Sequence, residues 1–277
     1  MEPAVGLAPN FLSMRLDKYL VEKGLCTSRE RAQDAIKLKT VSVNGKIETK
    51  ASKEIAEEDE VVLIDIFNKY VSRGGLKLEK AIEDFHLDFQ GRQVMDVGSS
   101  TGGFTDCALQ HGADFVVAVD VGSDQLHPSL RNHPQVLSIE HKDFRELEPA
   151  DVQNRTFDWI VSDVSFISLT YIFPYFKTFL KPDAQLMLLI KPQFEAGQSF
   201  LNRSGIVTDE KGYKVAIQKV MAQATIDGYF LNNITVSTLY EKNKNIEFLA
   251  LFSTKDNGFK YKFDKLAEEI KKAKSNV

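Results

Sequence analysis

QVMDVGSSTGGF, residues 93–104, is the stretch on which the fold turns. It opens as an apolar strand containing Asp96, then runs into Gly98, Ser99, Ser100, Thr101, Gly102, Gly103 and Phe104. Small residues between a strand and a helix let a ligand approach the backbone, and a helix start offers it unpaired N–H groups. Reading outward, FVVAVD (115–120), VLSIEH (136–141), DWIVSD (158–163) and AQLMLLI (184–190) are further strand-like runs, with helical stretches between them. Continuous Val, Ile and Leu strands alternating with helices predict an α/β fold, its mostly parallel sheet covered on both faces. Two later strands, 229–239 and 246–254, lie close enough to pair antiparallel at one edge, and a helix over 75–86 precedes the first strand.

Upstream the pattern changes. Leu16, Tyr19 and Leu20 have helical spacing, and Ser28 caps a second helix reaching about Leu38. Val41 and Val43 then alternate into Asn44-Gly45, a hairpin signal. These elements predict a small α+β domain over residues 14–66, a linker over 67–72 and the α/β domain over 73–256. Residues 1–13 read as a disordered extension, and 257–277 as a Lys-rich tail, either a surface amphipathic helix or a frayed end.

The formal net charge is -4, so no global field draws in a polyanion. Residues 14–50 nevertheless carry nine basic against five acidic side chains. That local excess marks either a nucleic-acid face or a solvated helix surface. Cys26 and Cys107 support neither a disulfide framework nor a four-ligand zinc site, the histidines are scattered, and no metal is expected. No apolar run approaches the roughly 18 residues of a membrane helix. The best candidate, 159–173, is broken by Asp163, and the first thirteen residues lack the basic start and apolar stretch of a signal peptide. A reducing cytoplasm is the expected location.

Three acids then define a ligand. Asp96 lies in the first strand, Asp120 ends the second, 22 residues after Gly98, and Asp143 follows the third, beside Phe144. In an open parallel sheet, ligands sit beyond the carboxyl ends of the strands. A carboxylate at Asp120 can take both hydroxyls of a ribose, and one at Asp143 can accept from an adenine amino group. A nicotinamide dinucleotide needs G-x-G-x-x-G, whereas this loop reads G-x-x-x-G-G, with an acid two residues earlier that would repel pyrophosphate. The same acid can help to hold a cationic methionyl group, which favours S-adenosylmethionine. A plain tight turn in a nucleotide-free sheet protein is the bland alternative.

SRGGLKL (72–78), DVGSSTGGFTD (96–106), VSDVSFISL (161–169), KPQFE (191–195) and NIEF (245–248) resemble, in order, the TlyA-type proteins. These are ribosomal RNA 2′-O-methyltransferases, some called haemolysins, with an FtsJ-like catalytic domain. MRLDKYL (14–20), TSRERAQ (27–33) and VSVNGK (41–46) resemble the alpha-L RNA-binding motif. The resemblance covers residues 14–254 and implies a Rossmann-like methyltransferase domain with a seven-stranded, mostly parallel sheet. It also implies a Lys-Asp-Lys-Glu tetrad, here Lys77, Asp163, Lys191 and Glu247, and a ribosomal RNA cytidine as substrate; because the basic patch alone is small, that RNA is expected within an assembled ribosomal subunit.

Chemistry supports that tetrad. A ribose hydroxyl is a poor nucleophile until deprotonated, and a lysine serves as base when desolvated or beside another cation. Lys191 is expected to be the base or its activator, oriented by Asp163, with Lys77 and Glu247 positioning the ribose. Arg15, Lys18, Ser28, Arg29, Arg31 and Lys37 are expected to meet phosphate, and Arg73 to extend that path. Alternative readings are a membrane-active haemolysin, an RNA-binding protein with a non-catalytic methyltransferase fold, or a base methyltransferase. The last usually has a D/N-P-P-Y-like loop, whereas Val-Ser-Phe follows Asp163.

Overall fold

The computed structural model describes residues 13–26, 28–37, 39–63, 69–237 and 244–275. The chain divides between Lys69 and Tyr70 into two compact units.

In the smaller unit, β1 (Met14–Arg15) leads into α1 (Leu16–Glu22), α2 (Arg29–Lys37), β2 (Val41–Val43), β3 (Lys46–Ile47), β4 (Glu54–Ile55) and β5 (Val61–Leu63). Leu16, Leu20, Ala32, Ile36, Val41 and Ile55 form its core. Asn44 and Gly45 both take positive φ, 53° and 73°, which matches the twist of the two-residue β2–β3 hairpin. Asp17 is fully buried. The Arg15 guanidinium beside it, joined by Arg29 and Gln33, holds its carboxyl far below the usual range although burial opposes this. Thr27, Leu38 and the expected end of this domain at 64–66 lie outside the described residues, as do residues 1–12 of the expected extension.

The larger unit starts with α3 (Gly74–Phe85) and continues as β6 (Gln93–Val97), α4 (Gly103–Gln110), β7 (Phe115–Val119), α5 (Pro128–Arg131), β8 (Val136–Ile139) and β9 (Phe157–Ser162). Then come α6 (Phe173–Phe176), β10 (Leu180–Ile190), α7 (Pro192–Glu195), α8 (Glu210–Ile226), β11 (Phe230–Val236), β12 (Phe248–Ser253) and α9 (Phe263–Ser275). Seven strands form one sheet in the order β11-β12-β10-β9-β6-β7-β8. β10, β9, β6, β7 and β8 run parallel, and β12 is antiparallel to both its neighbours.

Side chains alternate between the two faces, as strand geometry requires. Leu186, Leu188 and Ile190 of β10 enter the core shared with α6, α8 and α9, while Met187 and Leu189 enter the core shared with α3 and α4. After β6 the chain builds outward to β7 and β8, then returns to place β9 on the other side of β6. This reversal opens a crevice at the carboxyl ends of β6 and β9, where an α/β sheet places its ligands. Among the described residues, no helix is long and apolar enough to cross a membrane.

One boundary differs from the expectation. Tyr70 is buried, and Val71 N–H donates to Asp106 at 2.7 Å, so residues 70–72 belong to the larger unit and not to a linker. The Lys-rich tail forms an amphipathic helix, one of its two expected readings, and packs one face against the larger unit. Leu266, Ala267 and Ile270 of α9 are buried, and Glu269 accepts from Thr235 Oγ1 at 2.9 Å and Val236 N at 3.1 Å.

Candidate active site

Close backbone approach builds the site. A Cβ on Gly103 would lie 2.3 Å from Ser72 Oγ and 2.7 Å from Gly75 N, so the starts of α3 and α4 meet through glycines. A Cβ on Gly75 would lie 2.3 Å from the Tyr70 ring. These contacts hold α3 against the loop after β6 and bring Lys77, one turn into α3, over the strand ends. Asp163 follows β9, Lys191 follows β10, and Glu247 immediately precedes β12. Pro192 opens α7, where its missing N–H costs nothing, and Lys191 is the residue before it.

The four side chains form one network. Lys77 Nζ lies 3.1 Å from Asp163 Oδ2 and 2.8 Å from Glu247 Oε2. Lys191 Nζ lies 2.7 Å from Asp163 Oδ1 and donates to Ser165 Oγ at 2.7 Å and to the Asp163 carbonyl at 3.2 Å. The two ammonium groups therefore share one carboxylate. Burial pulls the Lys77 pKa down, but Asp163 and Glu247 together outweigh it and leave the group above its ordinary value. Lys77 is a standing cation.

Two clefts meet here. The larger, about 1000 Å³, is lined by Gly98, Ser100, Asp120, Asp143, Phe144 and Phe166, among others. The smaller, about 530 Å³, is lined by Arg73, Lys77, Asp96, Ser99, Gly103, Phe104, Lys191, Gln193, Lys244 and Glu247, among others. Gly98, Ser100, Asp163 and Ser165 border both. Gly98 has φ 80°, and a Cβ there would lie 2.8 Å from Val164 Cγ1, so only glycine fits between β6 and β9.

The expected cofactor residues divide by position. Asp120 accepts from Ser100 N and Gly122 N, each at 2.7 Å, which shapes the rim of the larger cleft. Asp143 caps the turn at 144–146 and binds Arg145 at 2.6 Å; that guanidinium keeps its carboxyl below the ordinary value. Phe144 is buried against Phe176 and Phe179, with one side on the cleft. Thr101 and Gly102 line neither cleft: Thr101 O accepts from His127 N, and Gly102 packs on Leu126 and Leu130. Asp96 is buried behind the loop. Burial pushes its carboxyl up to about 7, despite hydrogen bonds from Thr105 N and Oγ1 at 3.0 and 2.7 Å. Its Oδ1 is buried and has no hydrogen-bond partner among the described residues. An acid with spare acceptor capacity under a glycine cradle fits a cationic nucleoside ligand such as S-adenosylmethionine.

In the smaller unit, the expected phosphate-binding residues have further duties. Arg15 and Arg29 pair with Asp17 at 3.0 and 2.9 Å while remaining half-exposed. Ser28 Oγ accepts from Arg31 N at 3.2 Å and so helps to start α2. Lys37 approaches Asp34 at 3.9 Å, and Lys18 is exposed.

Sequence reasoning missed several residues. Ser165 is hydrogen-bonded to Lys191. Phe166 is 91% exposed at φ 64° and stacks obliquely on Phe194 at 5.4 Å. Glu195 ties α7 to the loop through Ser168 Oγ at 2.5 Å and Leu169 N at 2.7 Å. All lie within VSDVSFISL and KPQFE, the segments that carry Asp163 and Lys191. An aromatic three residues after the strand-end Asp163, in a loop, was the available signal.

Comparison with known proteins identifies the family. Residues 70–254 match the FtsJ-like methyltransferase family, and residues 14–61 match the S4 domain. The chain is 40% identical over 240 residues to "Hemolysin A" of Brachyspira hyodysenteriae, covering 86% of this chain and 99% of that one. It is 35% identical over 241 residues to "16S/23S rRNA (cytidine-2'-O)-methyltransferase TlyA" of Mycobacterium tuberculosis, covering 87% and 90%. A solved structure, "Putative hemolysin from Streptococcus thermophilus", matches 95% of this chain and 98% of its own, at 36% identity and a TM-score of 0.75. The chain belongs to the FtsJ-like methyltransferase family, with an S4 domain preceding its catalytic unit.

Proposed function

We propose that the protein transfers a methyl group from S-adenosylmethionine to a ribose 2′-hydroxyl of ribosomal RNA, at cytidine, within a ribosomal subunit in the cytoplasm. The observation that carries this reading is the Lys77–Asp163–Lys191–Glu247 network at the border of two clefts. The larger cleft suits the cofactor, held by Gly98, Ser100, Asp120, Asp143 and Phe144 from the open side, with Asp96 behind the loop. The smaller one suits the ribose. When bound, S-adenosylmethionine supplies an electrophilic methyl on a good leaving group, so the protein's task is to align and deprotonate a hydroxyl.

The charges assign the roles. Lys77, paired to two carboxylates, stays protonated and positions the ribose as a cation and donor. Lys191 takes the hydroxyl proton in its neutral form, after giving up one of its own to solvent, and ends as the ammonium paired to Asp163. Asp163 spaces the two ammonium groups, and Glu247 fixes Lys77. Half-exposed Arg15 and Arg29, held in place by Asp17, contact phosphate, which gives affinity without base choice. The relatives' names support RNA as substrate and cytidine as target.

The test is transfer of radiolabelled methyl to ribosomal subunits lacking the modification, followed by nucleoside mapping. The expected product is 2′-O-methylcytidine. Label on a base, or on protein, overturns the reading.

A further inference from the structure

Lys191 borders the smaller cleft but offers it little surface. Its side chain is only 9% exposed, and Asp163 and Ser165 surround its ammonium group. Ser165, in contrast, is exposed and lies where the two clefts meet. Its Oγ is 2.7 Å from Lys191 Nζ. A hydroxyl can accept and donate at once, whereas the neighbouring carboxylate only accepts.

We infer that Ser165 is a fifth reacting group, a relay that carries the substrate proton to Lys191. The inference rests on the proposed ribose methylation. In the reactive state Lys191 is neutral, and the Ser165 O–H donates to its lone pair. The 2′-hydroxyl donates to Ser165 Oγ. As the bond from O2′ to the methyl carbon forms, the methyl–sulfur bond breaks and its electron pair stays on sulfur. The 2′-proton passes to Ser165 Oγ, and the Ser165 proton passes to Lys191, which ends as an ammonium ion beside Asp163. No further reactant is needed. The arrangement lets a buried lysine act on a hydroxyl in an open cleft, and it explains why a short polar side chain stands two residues after Asp163.

The test compares single-turnover methyl transfer to RNA by the wild type, Ser165→Ala and Ser165→Thr, with cofactor affinity measured separately by calorimetry. Ser165→Ala is expected to slow transfer about 100-fold or more, the usual scale for losing a proton-transfer group, with cofactor affinity unchanged. Threonine, which keeps the hydroxyl, is expected to restore most of the rate. In mixtures of light and heavy water the wild-type rate should bow downward, as two moving protons require, a result that depends on no variant. Three results would overturn the relay: an Ala variant within about threefold of wild type, an Ala variant whose rate loss is matched by lost cofactor affinity, or a linear wild-type inventory. If the wild type itself labels a base, ribose methylation falls and takes the relay with it. A wild type that labels ribose beside an equally fast Ala variant removes the relay alone.

Discussion

Lys191 and Asp163 are joined by charge without an aligned hydrogen bond between their side chains. Nζ stands 2.7 Å from Oδ1, yet its directed bonds go to the Asp163 carbonyl and Ser165, and among the described residues Oδ1 has no hydrogen-bond partner. The carboxylate thus sets the field at Lys191, while Ser165 and the main chain set its position.

Removing that charge tests the division. Asp163→Asn keeps the size of the side chain but leaves both ammonium groups facing a neutral amide. Methyl transfer is expected to fall by about 100-fold or more, with cofactor affinity retained. Rate measurements at saturating RNA, paired with calorimetry, check this; a variant with the wild-type rate contradicts it.

Asp96 makes stability depend on pH. Burial, aided by Asp163 and Asp120, raises its carboxyl from 3.8 to about 7 in the fold, against the hydrogen bonds from Thr105. Between those values the native state holds a proton that the unfolded chain has released. Stability therefore drops as pH rises from about 4 to about 7 and levels off above. Asp96→Asn, which can still accept from Thr105, should flatten this component, seen as a melting-temperature gain over wild type that grows from pH 5 to pH 8. Affinity for a cationic cofactor should move the opposite way in the wild type, rising through about pH 7 as Asp96 ionises.

The glycine contact between α3 and α4 has no slack. Gly103→Ala places a methyl 2.3 Å from Ser72 Oγ and 2.7 Å from Gly75 N, and backbone must move. Overpacking of this kind costs about 1–3 kcal/mol. A lowered melting temperature is expected, together with reduced activity as Lys77 shifts with α3. Wild-type values for both would show that the approach is looser than described.

Phe166 stands open at the cleft with a left-handed backbone, a combination that packing does not reward. Under the proposed ribose methylation it serves as a surface on which an RNA base stacks. Phe166→Ala should leave the melting temperature unchanged. It should weaken RNA use by about 10- to 100-fold, since a base–aromatic stack is worth about 1–3 kcal/mol. Unaltered RNA affinity and rate would remove Phe166 from the substrate path.

Most of the fold was legible because its signals are local. The apolar runs around 93–98, 115–120, 158–163 and 184–190 became neighbouring parallel strands, and the strands near 229–239 and 246–254 paired at the edge. The boundaries were less legible. Tyr70 is an isolated aromatic whose burial depends on Gly75 opposite it, whereas the amphipathic pattern of α9 was visible but not the face of the sheet it would cover. The site followed the same rule. Lys77, Asp163, Lys191 and Glu247 could be named from their motifs, but Asp143's pairing with Arg145 and Ser165's bond to Lys191 depend on side-chain directions that spacing does not encode.

The most direct measurement is single-turnover methyl transfer by Lys191→Ala on unmodified ribosomal subunits, with the labelled nucleoside identified and cofactor affinity measured on the same preparation. The account predicts cofactor affinity equal to wild type and ribose labelling reduced by about 100-fold or more. Ribose labelling at the wild-type rate in that variant would contradict it.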